Sequence, residues 1–205
     1  MNKELYFNIK DKYPNVRIIA VSKYTSDENI KELFSLGHKE FAENKVQDLL
    51  RKKEELSKEI SWHFIGNLQK NKINHLIKTK PILWQSCTSF ALAHEVDKRL
   101  DYKLDCLLQI NSSCEDSKSG ISTQQALDEY LKIQNECSNL NLIGIMCIGA
   151  IDEKYTQKSF EDCYKIYEEV KKYGAKICSM GMSSDYELAI KCGSNMIRLG
   201  SILFK

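Results

Sequence analysis

Eight short apolar runs alternate with stretches of helical spacing along nearly the whole chain, and that alternation constrains the fold more than any other feature. The runs predict strands at Val16–Lys23, Glu40–Glu43, Ser61–Ile65, Ile82–Ser86, Asp105–Ile110, Leu142–Ile148, Lys176–Ser179 and Met196–Leu199. The stretches between them predict helices at Asp27–Leu36, Val46–Leu56, Lys70–Lys78, Ser89–Leu100, Thr123–Cys137, Lys158–Tyr173 and Asp185–Cys192. An extra helix, Glu4–Tyr13, precedes Pro14. Strands in strict alternation with helices imply a parallel sheet with right-handed crossovers. Eight βα units most simply close into an α/β, (β/α)8 TIM-type barrel. An open doubly wound sheet is the other candidate, but it normally needs fewer strands and a Gly-rich turn after the first one. At 205 residues, with no linker or repeat, the chain is expected to be a single domain, 1–205.

Composition excludes several function classes. Thirty Lys and Arg against 28 Asp and Glu leave a net charge of +2, so no bulk field favours nucleic acid or a membrane surface. No stretch approaches a membrane span, and Met1-Asn2-Lys3-Glu4 opens no signal peptide, so a cytoplasmic location is expected. The eight cysteines form no C-x-x-C pair and several, such as Cys106, Cys147 and Cys178, sit in apolar runs. Reduced core thiols are expected, Cys114 included, and no metal site.

In such a barrel the chemistry sits at the carboxyl ends of the strands. The first strand ends on Ser22-Lys23. A lysine there reads either as a Schiff-base amine, its ammonium disfavoured by desolvation, or as a side chain that snorkels to solvent. After the seventh and eighth strands come Met180-Gly181-Met182-Ser183 and Arg198-Leu199-Gly200-Ser201. The two Gly-Ser turns read as a phosphate site faced by the helix from Asp185, or as ordinary helix capping. A phosphate, an amine and the Arg198 cation together suit pyridoxal phosphate. His63, between Trp62 and Phe64, reads as an acid or base or as a core histidine. Glu43 and Glu115 are candidate bases with no paired partner. The polar loop Asn111–Gly120, with Ser117-Lys118-Ser119-Gly120, reads as a lid or a solvated loop.

The ordered blocks carry a resemblance. A-V-S-K at Ala20–Lys23, F-A-E-N-K-V-Q-D at Phe41–Asp48 and W-H-F-I-G-N-L-Q-K-N-K at Trp62–Lys72 are followed by Q-I-N-S-S-C-E-D-S-K-S-G at Gln109–Gly120. Then come G-I-M-C-I at Gly144–Ile148, S-M-G-M-S-S-D at Ser179–Asp185 and M-I-R-L-G-S at Met196–Ser201. From Val16 to Phe204 the chain resembles the pyridoxal phosphate homeostasis proteins, single-domain relatives of the alanine racemase barrel.

The resemblance implies pyridoxal 5'-phosphate (PLP) held as a Schiff base on Lys23, its phosphate on Ser183, Gly200 and Ser201, Asn44 near the ring and Arg198 facing the pyridine nitrogen. A permanent cation there would keep that nitrogen unprotonated and weaken the ring as an electron sink. Ala42 and Lys45 stand where the family usually has Gly and Tyr, and little chain is expected between the last strand, Met196–Leu199, and Lys205. The implied role is a non-catalytic PLP-binding protein in PLP homeostasis, with PLP-dependent apoenzymes as candidate recipients and an isolated barrel expected as a monomer. The alternatives are a PLP-dependent amino-acid racemase or lyase, and a barrel enzyme for a sugar or indole phosphate. A racemase would need a second acid or base, normally a tyrosine from a separate C-terminal domain.

Overall fold

The computed structural model describes residues 1–113, 115 and 118–204, so the expectations placed on Cys114, Ser117 and Lys205 lie outside the described residues. Nine strands form in chain order: β1 (Arg17–Val21), β2 (Glu40–Glu43), β3 (Ser61–Phe64), β4 (Leu83–Cys87), β5 (Leu104–Asn111), β6 (Ile121–Ser122), β7 (Leu140–Cys147), β8 (Ile177–Ser179) and β9 (Met196–Leu199). All their pairings are parallel, in the order β4-β3-β2-β1-β9-β8-β7-β5, and β4 also pairs with β5. The result is the expected closed eight-stranded (β/α)8 barrel. The two-residue β6 is an addition that sequence reading missed, running beside the end of β5 through Ile110↔Ile121 and Asn111↔Ser122.

Around the barrel lie α1 (Lys3–Lys12), α2 (Asp27–Ser35), α3 (Val46–Glu55), α4 (Ile73–Thr79), α5 (Phe90–Asp97), α6 (Ala126–Glu136), α7 (Glu153–Val170), α8 (Tyr186–Lys191) and α9 (Ser201–Phe204). Local capping explains where several begin. The Ser26 hydroxyl accepts the Asn29 amide at the start of α2, and Ser89 does the same for Leu92 in α5. Helix α7 opens five residues before the expected Lys158, because the Asp152 carboxylate accepts the Lys154 amide and caps it earlier. Helix α6 opens at Ala126 rather than Thr123, since Ile121 and Ser122 are drawn into β6. The short α9 was not foreseen; the Asn2 amide donates to the Leu203 carbonyl at 2.8 Å and ties α1 to it. Among the described residues no helix is long and apolar enough to cross a membrane.

Side chains alternate across each strand and divide the interior into two layers. One layer, between sheet and helices, takes large groups such as Phe41, Trp62, Phe64 and Trp84, all buried. The other fills the lumen with Ile19, Val21, Ala42, Leu83, Leu107, Met146, Ile177 and Met196. Strand positions of the same inward parity also carry Arg17, Glu40, His63, Gln85, Ser179 and Arg198, so the lumen is half polar. Cys87, Cys106, Cys137, Cys147, Cys163 and Cys178 are free thiols buried in the fold, and Cys192 is free and half-buried.

Candidate functional site

A cavity of about 650 Å³ opens at the carboxyl end of the barrel. The end of β1 gives it Val21, Lys23, Tyr24 and Thr25, and Ile65 follows β3. The turn after β8 contributes Met182, Ser183 and Ser184, and the end of β9 contributes Arg198, Gly200 and Ser201, with Ile202 and Phe204 of α9. Five of the six residues singled out from sequence therefore face one space: Lys23, Ser183, Arg198, Gly200 and Ser201. The sixth, Asn44, is not among the lining residues. It sits just past β2, its side-chain Oδ1 buried with no hydrogen-bond partner among the described residues.

The two turns are built for backbone donors. The amides of Gly200 and Ile202 both point at Ser183 Oγ, at 3.2 and 3.5 Å. Two N–H groups converging on one oxygen at the cavity wall are an arrangement suited to an anionic oxygen. Gly181 carries φ +91°, and a Cβ there would come within 2.6 Å of Ala189 Cβ and 2.9 Å of Tyr186 Cα. A Cβ on Gly200 would approach the Val21 carbonyl to 3.2 Å. Helix α8 is shorter than expected, because the Asp185 carboxylate turns back to accept the Met182 amide at 2.6 Å instead of starting a helical turn.

Arg198 supplies the cation. Its Nη1 donates to the Ser179 carbonyl at 2.9 Å and hydroxyl at 2.6 Å, and its Nη2 donates to the Cys147 carbonyl at 2.8 Å. Only 4% of the residue is exposed. Burial pulls the pKa of the guanidinium down, but an arginine stays charged at neutral pH. The groups it donates to are all uncharged, and the Asp185 carboxylate acts on it only through space.

Lys23 is exposed rather than buried, so the desolvation expected for a lysine at the end of a buried strand is not found. It is the second residue past β1, and its chain reaches out to the cavity rim. Its neighbour Tyr24 is 85% exposed and holds a left-handed backbone, φ +65°, uncommon for a residue with a side chain. The Nζ atoms of Lys23 and Lys45 lie 6.0 and 5.9 Å from the Tyr24 ring centroid. Sequence reading did not single out Tyr24, Thr25 or Ile65, because nothing in a lone tyrosine or isoleucine marks it as lining a cavity.

Other candidates fall elsewhere. Glu43 does not face the cavity; its Oε1 accepts from Ser22 Oγ at 2.7 Å and Lys52 Nζ at 2.6 Å under α3, which removes it as a base. Glu115 ties loops together, accepting the Ile151 amide at 3.0 Å and pairing with Lys118 Nζ at 2.7 Å, whose amine also reaches the Gly149 carbonyl. The Lys118 side chain first, and the Ile151 amide second, hold its carboxyl below the usual range. Asn111 donates to the carbonyls of Glu115 and Lys118 and so organises the loop after β5. Met146 is buried in the lumen, and His63 is fully buried there too, which makes it a hydrogen-bonded core histidine.

Comparison with known proteins agrees with this geometry. The family described as "Alanine racemase, N-terminal domain" matches residues 6–205, so the chain is a barrel of that class. The protein from Helicobacter pylori named pyridoxal phosphate homeostasis protein is 47% identical over 196 residues, covering 93% of this chain and 87% of that one. Solved structures of PipY from Synechococcus elongatus PCC7942 superpose with a TM-score of 0.89 without PLP (28% identity) and 0.86 with PLP bound (27% identity). Each covers 98% of this chain and 99% of PipY. The chain belongs to the pyridoxal phosphate homeostasis protein family, as its motif blocks implied.

Proposed function

We propose that this chain binds pyridoxal 5'-phosphate, holds it as a Schiff base on Lys23, and takes part in PLP homeostasis without strong catalysis of its own. The observation that carries this reading is that one cavity collects the Lys23 amine, the paired amides at Ser183, Gly200 and Ile202, and the buried Arg198 cation. The relatives named above support it, since PipY has been solved with PLP bound.

The residues fit the group. The Lys23 amine would condense with the aldehyde carbon of PLP and release water. Ser183, Gly200 and Ser201 would hold the phosphate through hydroxyl and amide donors, with Ser183 Oγ giving up its two amide contacts. Arg198 would face the ring nitrogen, and the unpartnered Oδ1 of Asn44 would lie near the ring from the β2 side. Bound PLP supplies an electron-withdrawing ring, which works best when its nitrogen is protonated. Arg198, permanently charged, opposes that protonation, which disfavours carbanion chemistry.

The protein is then a single barrel domain, 1–205, working as a cytoplasmic monomer, with PLP-dependent apoenzymes as recipients of the cofactor. The test is titration with PLP followed by visible absorbance, then incubation of the loaded protein with L-alanine and chiral analysis. Saturable binding at one PLP per chain with no D-alanine formed is expected. Racemisation at ordinary enzyme rates, median kcat about 10 per second, would replace this reading with the racemase.

A further inference from the structure

Behind the cavity, Arg198 begins a chain of side chains that crosses the lumen. Arg198 Nη1 donates to Ser179 Oγ at 2.6 Å, and Ser179 Oγ lies 2.9 Å from Gln85 Oε1. Gln85 Nε2 lies 3.0 Å from His63 Nδ1, and His63 Nε2 lies 3.4 Å from Glu40 Oε1. Arg17 closes the far end with an ion pair to Glu40. His63, Gln85 and Ser179 are fully buried.

The bond directions run from Arg198 through Ser179 and Gln85 to His63. A guanidinium can only donate, so Ser179 Oγ accepts from it, and the hydroxyl donates its own proton to Gln85 Oε1. That fixes the amide, and Nε2 must donate to His63 Nδ1. The imidazole is then neutral, with its proton on Nε2, which makes no hydrogen bond among the described residues and lies 3.4 Å from the Glu40 carboxylate. Burial, which disfavours the imidazolium, agrees with this form. The ionisable groups acting on His63 are Glu40 on β2 and Arg17 on β1, with His38 beyond Glu40; β4 presents the uncharged Gln85.

We propose that Gln85 and His63 are positioning residues for Arg198, aligning the Ser179 hydroxyl so that the guanidinium is held in one orientation toward the cofactor cavity. Neither residue lines the cavity, so each acts through Ser179. A proton on His63 Nδ1 would reverse the chain. Gln85 would have to turn over, and Ser179 Oγ would face two donors instead of one. The functional consequence rests on the PLP reading above, whereas the bond directions do not.

The test uses the full chain with Gln85→Met, Ser179→Ala, the double variant and Gln85→Glu, each checked for folding by thermal unfolding. In protein without PLP, nitrogen NMR at pH 7 should show His63 protonated on Nε2 alone, and Gln85→Met should shift the Arg198 guanidinium resonances. In PLP titrations, Gln85→Met and Ser179→Ala should each weaken binding about tenfold, the scale of one lost hydrogen bond to a charged group. The double variant should also lose about tenfold rather than a hundredfold, because both changes cut one chain. Gln85→Glu keeps an acceptor for Ser179 and should stay within about twofold of wild type while protonating His63. The opposite tautomer, additive losses, or a folded Gln85→Met with unchanged affinity and Arg198 resonances would overturn the proposal. Should Gln85→Met fail to fold, the tautomer and Gln85→Glu decide. If wild type takes up no PLP, the PLP reading falls, while the NMR results still judge the chain.

Discussion

Lys52 reaches inward from α3 to set its Nζ 2.6 Å from Glu43 Oε1 at the end of β2, and both side chains are buried. The same ammonium donates to the Ser22 carbonyl at 2.9 Å, and the same carboxylate oxygen accepts the Ser22 hydroxyl at 2.7 Å. Ser22 is the residue before Lys23. A buried ion pair thus holds the backbone from which the cavity lysine projects.

Removing one member of a buried pair leaves an uncompensated charge, whereas replacing both with apolar groups is often neutral. Lys52→Met should therefore destabilise the protein by about 3–5 kcal/mol, and Glu43→Leu/Lys52→Met should recover most of that loss. Urea unfolding of the three proteins checks it. A Lys52→Met cost under about 1 kcal/mol would mean that the pair behaves like a solvated one.

Gly181 and Gly37 separate backbone strain from crowding. Both hold φ near +90°, but a Cβ at Gly37 meets nothing within 4 Å, while one at Gly181 meets Ala189 and Tyr186 at 2.6 and 2.9 Å. Gly37→Ala should cost about 1 kcal/mol, the left-handed penalty alone. Gly181→Ala should cost more and also weaken PLP binding, since the turn carries Ser183. Thermal unfolding and a PLP titration of both variants give the comparison.

Acid should destabilise the fold in two stages. Burial holds the pKa values of His63 and His38 below the ordinary 6.5, so below that pH the unfolded chain takes up protons the folded chain refuses. For Glu40, burial pushes the carboxyl up, but the His63 ring 3.4 Å away and the Arg17 guanidinium paired with it outweigh that and hold the pKa at about 2, against an ordinary 4.5. The stability this gives is complete above 4.5 and is lost as the pH falls toward 2. Urea midpoints at pH 7.5, 5.5 and 4 should fall in that order; a flat profile would contradict the lumenal assignments.

Much of this was legible in the sequence because the alternation of apolar runs and helical stretches is a strong local signal. Glu40–Glu43 and Met196–Leu199 are strands with the expected bounds. The cavity residues were legible because strand ends are where such a barrel displays chemistry. What stayed hidden depends on partners far along the chain. Lys52 and Lys53 are adjacent in one charged run, and only helix packing decides that Lys52 is buried. Glu43 read as a base because nothing local reveals the lysine nine residues on as its partner. The lumenal chain left a faint trace, polar residues at the inward parity of several strands, but pairing Gln85 with Ser179 needs the closed barrel.

The central claim is that Lys23 holds the cofactor, and borohydride reduction of the protein mixed with PLP, followed by peptide mass mapping, tests it most directly. The account predicts one adduct on the peptide containing Lys23, and loss of both adduct and visible absorbance in Lys23→Ala. An adduct spread over surface lysines, alike in the variant and wild type, would contradict it.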